Sequence, residues 1–380
     1  MAHVFSWLSK LRKIPGPYDP FRLVNTRTNG AFPTGEGVQH VVSDIDKTYL
    51  ETEFESLLGM AKIAFEKAVD KVTVSGARDI MRSVRWGLPY VYQSGSGQDP
   101  RPLHFVSSTP HQLRRVLEEK LMMDGLDWTS DTFKNQAYNL RMRRMDQLKQ
   151  HVAYKSAAIL GLVTQAGVRA RFYLLGDNAE QDTYIYLGVA LACSGLLSRD
   201  GYSQYLQIAG VDADVAQDLV NRFFTTGLSD LGVSFDGILI RKIVGYQHFE
   251  EKPFTSGVTF FDGYFEAGLA LFALGVIPPA NIWQFTRSFH NSHRVRTRDV
   301  MTLLEAYAMG ASEGAFRDEA LAVLERWRAA LRFRPEGAVA PKVVVNPLVG
   351  LRGLPEDRIL DHAKHWIHRL LDTKTQRKSK

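Results

Sequence analysis

Along the chain the apolar positions change period near Gln39. Before it, Val4, Phe5, Leu8 and Leu11 recur at helical spacing beside Lys10, Arg12 and Lys13, and a Pro/Gly-rich linker follows to residue 38. After it, the short apolar runs "HVVSDID" (40–46), "LHFVSS" (103–108), "RARFYLLGD" (169–177) and "GILIRKIV" (237–244) read as strands. They are nearly continuous in hydrophobicity, as strands buried on both faces of a parallel sheet must be. "EFESLLGMAKIAFEKAVDKVT" (53–73) and "GARDIMRSVRWG" (76–87) read as helices between the first two, with the loop "YQSGSGQDPRP" (92–102) leading into the second. The chain turns helical for about fifty residues after Gly188. From Thr255 the segments 256–277, 280–292, 298–311, 315–332 and 356–373 all carry helical periodicity.

This alternation predicts an α/β protein with a parallel sheet flanked by helices. The expected organisation is a basic amphipathic segment and linker (1–38), an α/β core (39–245) with a helical insertion at about 188–235, and a helical C-terminal extension (255–380).

Each strand end carries polar residues, and in an open parallel sheet ligands bind where those ends converge. Asp44 and Asp46 close the first strand, two residues apart and followed by Thr48. Strand alternation puts both carboxylates toward one site. Like charges that close need a cation or a shared proton. One carboxylate can attack phosphorus while the other protonates the leaving alkoxide and later activates water. Mg²⁺ held by carboxylates and substrate oxygens offsets the charge, with Asp44, Asp177 and the Asp46 backbone carbonyl as the expected direct ligands. In "SSTPHQLRR" (107–115), Thr109 is placed as a helix N-cap and Pro110 at the first helical position, an anion-binding start with Ser107 adding a donor. Lys155 opens a helix, where the dipole disfavours a cation, so an anionic partner is expected beside it.

Composition adds limits. The chain has 380 residues, 45% hydrophobic and 23% charged, ordinary for a globular protein. A single cysteine, Cys193, excludes an internal disulfide framework and lies in an apolar run that reads as buried. The apolar stretch 260–277 carries Asp262 and Glu266 and reads as a buried helix rather than a membrane span. Net charge is +6, concentrated at 9–13, 141–145 and 374–380, and favours anionic partners. The basic N-terminal stretch and the last helix, with Ile359, Leu360, Ala363, Trp366, Ile367 and Leu370 in one stripe, invite two readings: interfacial helices at an anionic membrane, or, for the last, packing on the core. "RMRR" lacks the interleaved aromatics of a single-strand nucleic-acid platform, so nucleic acid is not the expected partner. His290 and His293 have metal-ligand spacing but no acidic neighbour in sequence, which points to surface or capping roles.

The ordered set "SDIDKT", "FVSSTPHQL", Lys155 and "FYLLGDNAEQDTYIY" resembles the four motifs of haloacid dehalogenase-like phosphatases. More narrowly it is similar to the phosphatidate phosphatase family of the yeast actin patch and its bacterial relatives, over roughly 39–244. Lys47 stands where that family usually has Asp, and "SSTPH" where it has "SNSPW". The resemblance implies a Rossmannoid core, Mg²⁺ dependence and phosphomonoester hydrolysis. It implies Asp44 as nucleophile, Asp46 as general acid/base, Ser107 and Lys155 on the phosphoryl oxygens, Asp177 on the metal and Asp182 in support. The candidate sets are therefore Thr48, Ser107, Ser108 and Lys155 for substrate, and Asp44, Asp46, Asp177 and Asp182 for metal. The expected activity is phosphatidate or lipid phosphatase, in a cytoplasmic setting peripheral to the membrane. A soluble phosphomonoester is the alternative substrate, and a silent anion- or membrane-binding scaffold the alternative of another class.

Overall fold

The central strands form because each carries apolar, mostly branched or aromatic residues covered on both faces, whereas the antiparallel edge strand and its neighbour are mostly polar. In the computed structural model, which describes residues 19–51, 67–87, 100–141, 151–225, 227–246, 251–331 and 348–378, the strands are β1 (Val24–Thr28), β2 (Gln39–Ser43), β3 (Leu103–Pro110), β4 (Ser130–Lys134), β5 (Arg171–Asp177), β6 (Ser234–Arg241) and β7 (Val258–Phe261). They build one sheet in the order β1-β4-β3-β2-β5-β6-β7. β1 is antiparallel to β4 and all other pairs are parallel. Counted among themselves, the parallel strands run 3-2-1-4-5-6, the doubly wound order, so the strand order reverses between β2 and β5.

Alternation divides the core. Val42, Val106, Phe172 and Leu174 face α4 (Val152–Ala166), α5 (Asp182–Cys193), α6 (Arg199–Ile208) and α7 (Ala213–Phe224). Val41, Phe105, Tyr173 and Leu175 face α1 (Ala77–Trp86), α2 (Arg114–Met123), α8 (Tyr264–Ala273), α9 (Ile282–Ser292), α10 (Thr297–Gly310) and α11 (Ala315–Leu331). A short helix, α3 (Gln136–Arg141), follows β4, and α12 (Glu356–Lys378) returns to the α4 side. Cys193 is buried there and burial raises its thiol pKa, so it packs as an inert apolar group.

Several expectations change. Residues 256–277 are not one helix: Val258–Phe261 pairs with β6 as the edge strand, and the helix begins only at Tyr264. The described end of the first expected helix, 67–73, is a single turn (Ala68–Asp70) followed by a bridge of Thr73 to Leu50. Residues 1–18, 52–66, 88–99 and 142–145 lie outside the described residues, and so do the side chains beyond 372, so the N-terminal helix, the first loop and the basic clusters at 141–145 and 374–380 are not placed. The apolar stripe of α12 packs on the core: Ile359, Ala363, Trp366 and Ile367 are buried, with Trp366 against Tyr184 and Phe254. A buried stripe cannot lie in a lipid interface. No described helix is long and apolar enough to cross a membrane.

His293 does have an acidic partner, one that only the fold brings near. Its Nε2 meets Asp79 Oδ2 at 2.5 Å and its Nδ1 meets Ser75 at 3.1 Å, which ties the end of α9 to the start of α1. Gly76 makes that junction fit, with φ of 83° and no room for a Cβ, which would lie 2.5 Å from the Phe289 ring. His290 donates from Nδ1 to the Val295 carbonyl. Neither histidine belongs to a metal-binding group among the described residues.

Candidate active site at the switch point

The carboxyl ends of β2 and β5 flank the reversal in strand order, and the loops leaving them converge there. β2 stops at Ser43, so Asp44 and Asp46 sit in the loop beyond it rather than on the strand. Asp44 N still donates to Leu175 O, which extends the β2–β5 ladder by one bond. The turn is then fixed by backbone contacts: Tyr49 N and Leu50 N donate to Ile45 O, Arg241 donates to Lys47 O, and Tyr264 OH donates to Thr48 O at 2.6 Å. Lys47 takes a left-handed φ of 58°, a conformation a lysine adopts only when its surroundings require it. Its ammonium donates to Tyr246 OH at 3.0 Å.

Among the described residues the two carboxylates take different hydrogen-bond partners. Asp44, fully buried, accepts from Lys155 at Oδ1 (2.9 Å), while its Oδ2 has no hydrogen-bond partner among the described residues. Asp46 Oδ2 accepts from Ser107 Oγ at 2.8 Å and Thr109 Oγ1 at 2.6 Å. Thr109 is therefore not a helix cap: β3 runs through Pro110, α2 begins at Arg114, and the hydroxyl is committed to Asp46. Ser107 also accepts from Thr109 N at 3.0 Å, and Ser108 lies beside it, buried, with its hydroxyl unpartnered among the described residues.

Lys155, in the first turn of α4, has the anionic surroundings that its position demanded. Its ammonium contacts Asp44 (2.9 Å), Glu180 (3.0 Å) and Asp182 (2.6 Å). Burial alone would depress it, but the three carboxylates hold its pKa well above the ordinary lysine value, so it is charged. Asp177 Oδ1 accepts from Ala179 N and Glu180 N, and Thr48 Oγ1 donates to Asp177 Oδ2 at 3.4 Å. Asp182 Oδ2 accepts from Asp177 N at 3.2 Å. Asp44, Asp177 and Asp182 each offer an oxygen within 4.8 Å of the others. The Asp46 side chain is outside this group, turned toward β3.

The electrostatics are those of a site short of positive charge. Burial, then neighbouring carboxylates, raises Asp44 and lifts Asp177 to about 7. Burial and Glu180 push Asp46 up to about 6 against the pull of Thr109 and Ser107. Glu180 resists the same burial and is held at about 2, chiefly by Lys155. Three buried carboxylate oxygens in one small volume and an orphaned Asp44 Oδ2 fit a hard divalent cation with oxygen ligands.

Sequence reasoning missed Glu180, the third partner of Lys155, although "GDNAEQD" contains it, and it misassigned the Thr109 hydroxyl. It also passed over Lys134, which ends β4 fully buried and is pushed down by burial to about 7.

Gly176 is the tightest point of the construction. A Cβ there would lie 2.5 Å from Asp182 Oδ2 and 2.8 Å from the Tyr186 ring. Asp182 cannot retreat without losing Asp177 N or Lys155. Gly176→Ala is expected to weaken half-saturation by a divalent cation about 10-fold or more, the usual cost of disturbing a ligand's support. Unchanged half-saturation in a metal titration would remove Asp182 from the metal's surroundings.

Residues 39–196 match the family model described as phosphatidate phosphatase APP1, catalytic domain. All of Asp44, Asp46, Ser107, Lys155, Asp177, Glu180 and Asp182 fall inside the match. No curated protein and no solved structure matches the chain.

Proposed function

With a phosphatase catalytic domain at residues 39–196 as the premise, we propose that the chain is a Mg²⁺-dependent phosphomonoester hydrolase of the haloacid dehalogenase-like kind, acting on phosphatidate or a related lipid through an aspartyl-phosphate. The observation that carries the reading is the buried group of Asp44, Asp177 and Asp182 around Lys155, at the switch point and within the matched domain.

When bound by Asp44, Asp177 and Asp182, the cation would offset phosphoryl charge as a Lewis acid. The remaining work belongs to the chain. Asp44 attacks phosphorus with a carboxylate oxygen, and the P–O bond to the leaving alkoxide breaks. Asp46, held on the β3 side by Ser107 and Thr109, would give that alkoxide its proton. It then takes a proton from water as the water oxygen attacks phosphorus, which frees phosphate and restores Asp44. A carboxyl lifted to about 6 can serve in both directions near neutral pH. In this reading Lys155 and the Ser107 hydroxyl, bonded here to carboxylates, would turn to phosphoryl oxygens when substrate binds, with Ser108, next to Ser107, and Thr48, bonded to Asp177, as further donors.

The lipid part of the reading rests on the description of the matched family. The test compares phosphate release from phosphatidate in vesicles with release from soluble sugar phosphates and nucleotides, each with Mg²⁺ and with chelator. Release that needs Mg²⁺ and favours phosphatidate is the expected result. A large kcat/KM margin for a soluble ester would replace the substrate class while leaving the chemistry, and no Mg²⁺-dependent release from any ester would sink the mechanism. Peripheral contact with anionic membrane through residues 1–14 belongs to the same reading, and vesicle co-sedimentation undiminished by their removal would exclude it.

A further inference from the structure

Lys47 lies between Asp46, the proposed acid/base, and Thr48, whose hydroxyl bonds Asp177 at 3.4 Å. Among residues 41–50 it is the one that is not buried. Its φ of 58° is left-handed, a region that glycine enters freely and a lysine does not. A glycine would make this turn at lower conformational cost, so the gain from a lysine has to come from its side chain.

That side chain reaches out of its own loop. The Lys47 ammonium donates to Tyr246 OH at 3.0 Å and stands 4.7 Å from the centre of the Tyr246 ring. Tyr246 lies in the segment that leaves β6, and the same segment is tied to the loop after β5. Asn178, next to Asp177, donates to Tyr246 O at 3.4 Å and accepts from Ile243 N at 2.7 Å. Its backbone N–H donates to Arg241 O at 3.1 Å. Arg241, the last residue of β6, donates in turn to Lys47 O. The contacts form a closed circuit: Lys47 is held through its carbonyl by Arg241 and through its ammonium by Tyr246, and Asn178 holds both of those.

The two fixings act on different freedoms. The Arg241 bond anchors the peptide that follows Lys47, while the Tyr246 contact resists rotation of the residue out of the left-handed region. The torsion at Lys47 sets the direction in which the chain passes from Asp46 to Thr48. We infer that Lys47 is a positioning residue, which with Tyr246 latches the Asp46 loop to the segments after β5 and β6 and so holds Asp46 in line with the departing alkoxide. The inference rests on the phosphatase reading above and extends it to a residue that contributes no group to the reaction.

The test uses the full chain with Mg²⁺ and two esters of different leaving-group basicity. An alkyl phosphate releases an alkoxide that needs a proton as it leaves, whereas p-nitrophenyl phosphate releases a phenolate that does not. Lys47→Gly keeps the turn and removes the latch, and Tyr246→Phe keeps the ring and removes the hydroxyl. Each is expected to lower kcat/KM for the alkyl ester about 10-fold further than for the nitrophenyl ester, the scale of a misplaced catalytic group. Calorimetric binding of inorganic phosphate and the melting temperature in chelator should stay near wild type. Lys47→Arg, which still offers a cation to the ring and a donor to the hydroxyl, is expected to keep the wild-type ratio between the esters. Losses that are equal on the two esters, or absent from both, overturn the inference. Equal losses with a lower melting temperature would make the latch a structural tie alone. Wild type that releases phosphate from neither ester loses the phosphatase reading, and the inference with it.

Discussion

Asp44→Asn is expected to cut phosphate release from an aryl phosphate by about 10⁴-fold or more, the scale on which removal of a nucleophile is felt. It should do so while melting, in chelator, at no lower temperature than wild type. The two halves follow from one geometry. An amide oxygen at the Oδ1 position still accepts from Lys155, so the ammonium keeps all three contacts. The amide has no carboxylate to offer phosphorus. Wild-type Asp44 is buried among Asp177, Glu180 and Asp182, and that burial and crowding raise its pKa well above the ordinary aspartate value. Folding with Asp44 charged therefore works against the fold, and a neutral isostere relieves it. Comparable turnover in the variant would exclude Asp44 as nucleophile. A markedly lower melting temperature would mean that Asp44 is a structural partner of Lys155 rather than a strained functional group.

What could be read in the sequence, and what could not, divides along physical lines. β2, β3 and β5 were legible because strands buried on both faces must be apolar throughout. The site was legible because its residues sit where such strands end, in the order that the doubly wound topology brings together. β4 was not legible. "SDTFK" looks like a turn, yet all five residues are buried. Several of its polar groups are satisfied from other segments, Asp131 by Arg114 as well as by nearby Trp128, Ser130 by His104 and Thr132 by Thr26. Lys134 went unnoticed for the same reason, since a lysine after an unrecognised strand has no address. β7 was lost inside an apolar run that helix periodicity fits as well as a strand does. The stripe of α12 illustrates the converse. Its pattern is identical for an interfacial helix and a packed one, and only Tyr184 and Phe254 decide between them. Likewise, the partner of His293 lies more than two hundred positions away.

Lys155→Met should also abolish turnover, but with the opposite effect on stability. Lys155 is the common cation for Asp44, Glu180 and Asp182, at 2.9, 3.0 and 2.6 Å, and all four groups are buried or nearly so. Removing one partner of a buried ionic cluster costs about 3–5 kcal/mol because the charge left behind has no compensation. The carboxylates can escape that cost by taking up protons, which fixes the sign of the pH dependence. In wild type, the lysine's raised pKa means its contribution is fully present below the unfolded lysine value and constant across pH 5–9. In the variant, the carboxylates lose the group that most lowers Asp44 and Glu180, so Asp44, already raised, goes higher and Glu180, deprived of what offsets its burial, is raised as well. The folded variant then binds more protons than the unfolded chain, and its deficit relative to wild type shrinks as pH falls through those values toward about 4. Urea midpoints in chelator at pH 8 and pH 5.5 measure this directly, with the variant far below wild type at pH 8 and closer to it at pH 5.5. A deficit that is absent at pH 8, or that grows on acidification, would show that Lys155 does not neutralise the cluster. Mg²⁺ should recover part of the pH 8 loss by supplying charge to Asp44, Asp177 and Asp182, a recovery that Asp44→Asn should not share. The paired variants thus separate two residues that activity alone would score alike: Asp44, whose charge works against the fold, and Lys155, without which the remaining carboxylates cannot stay together.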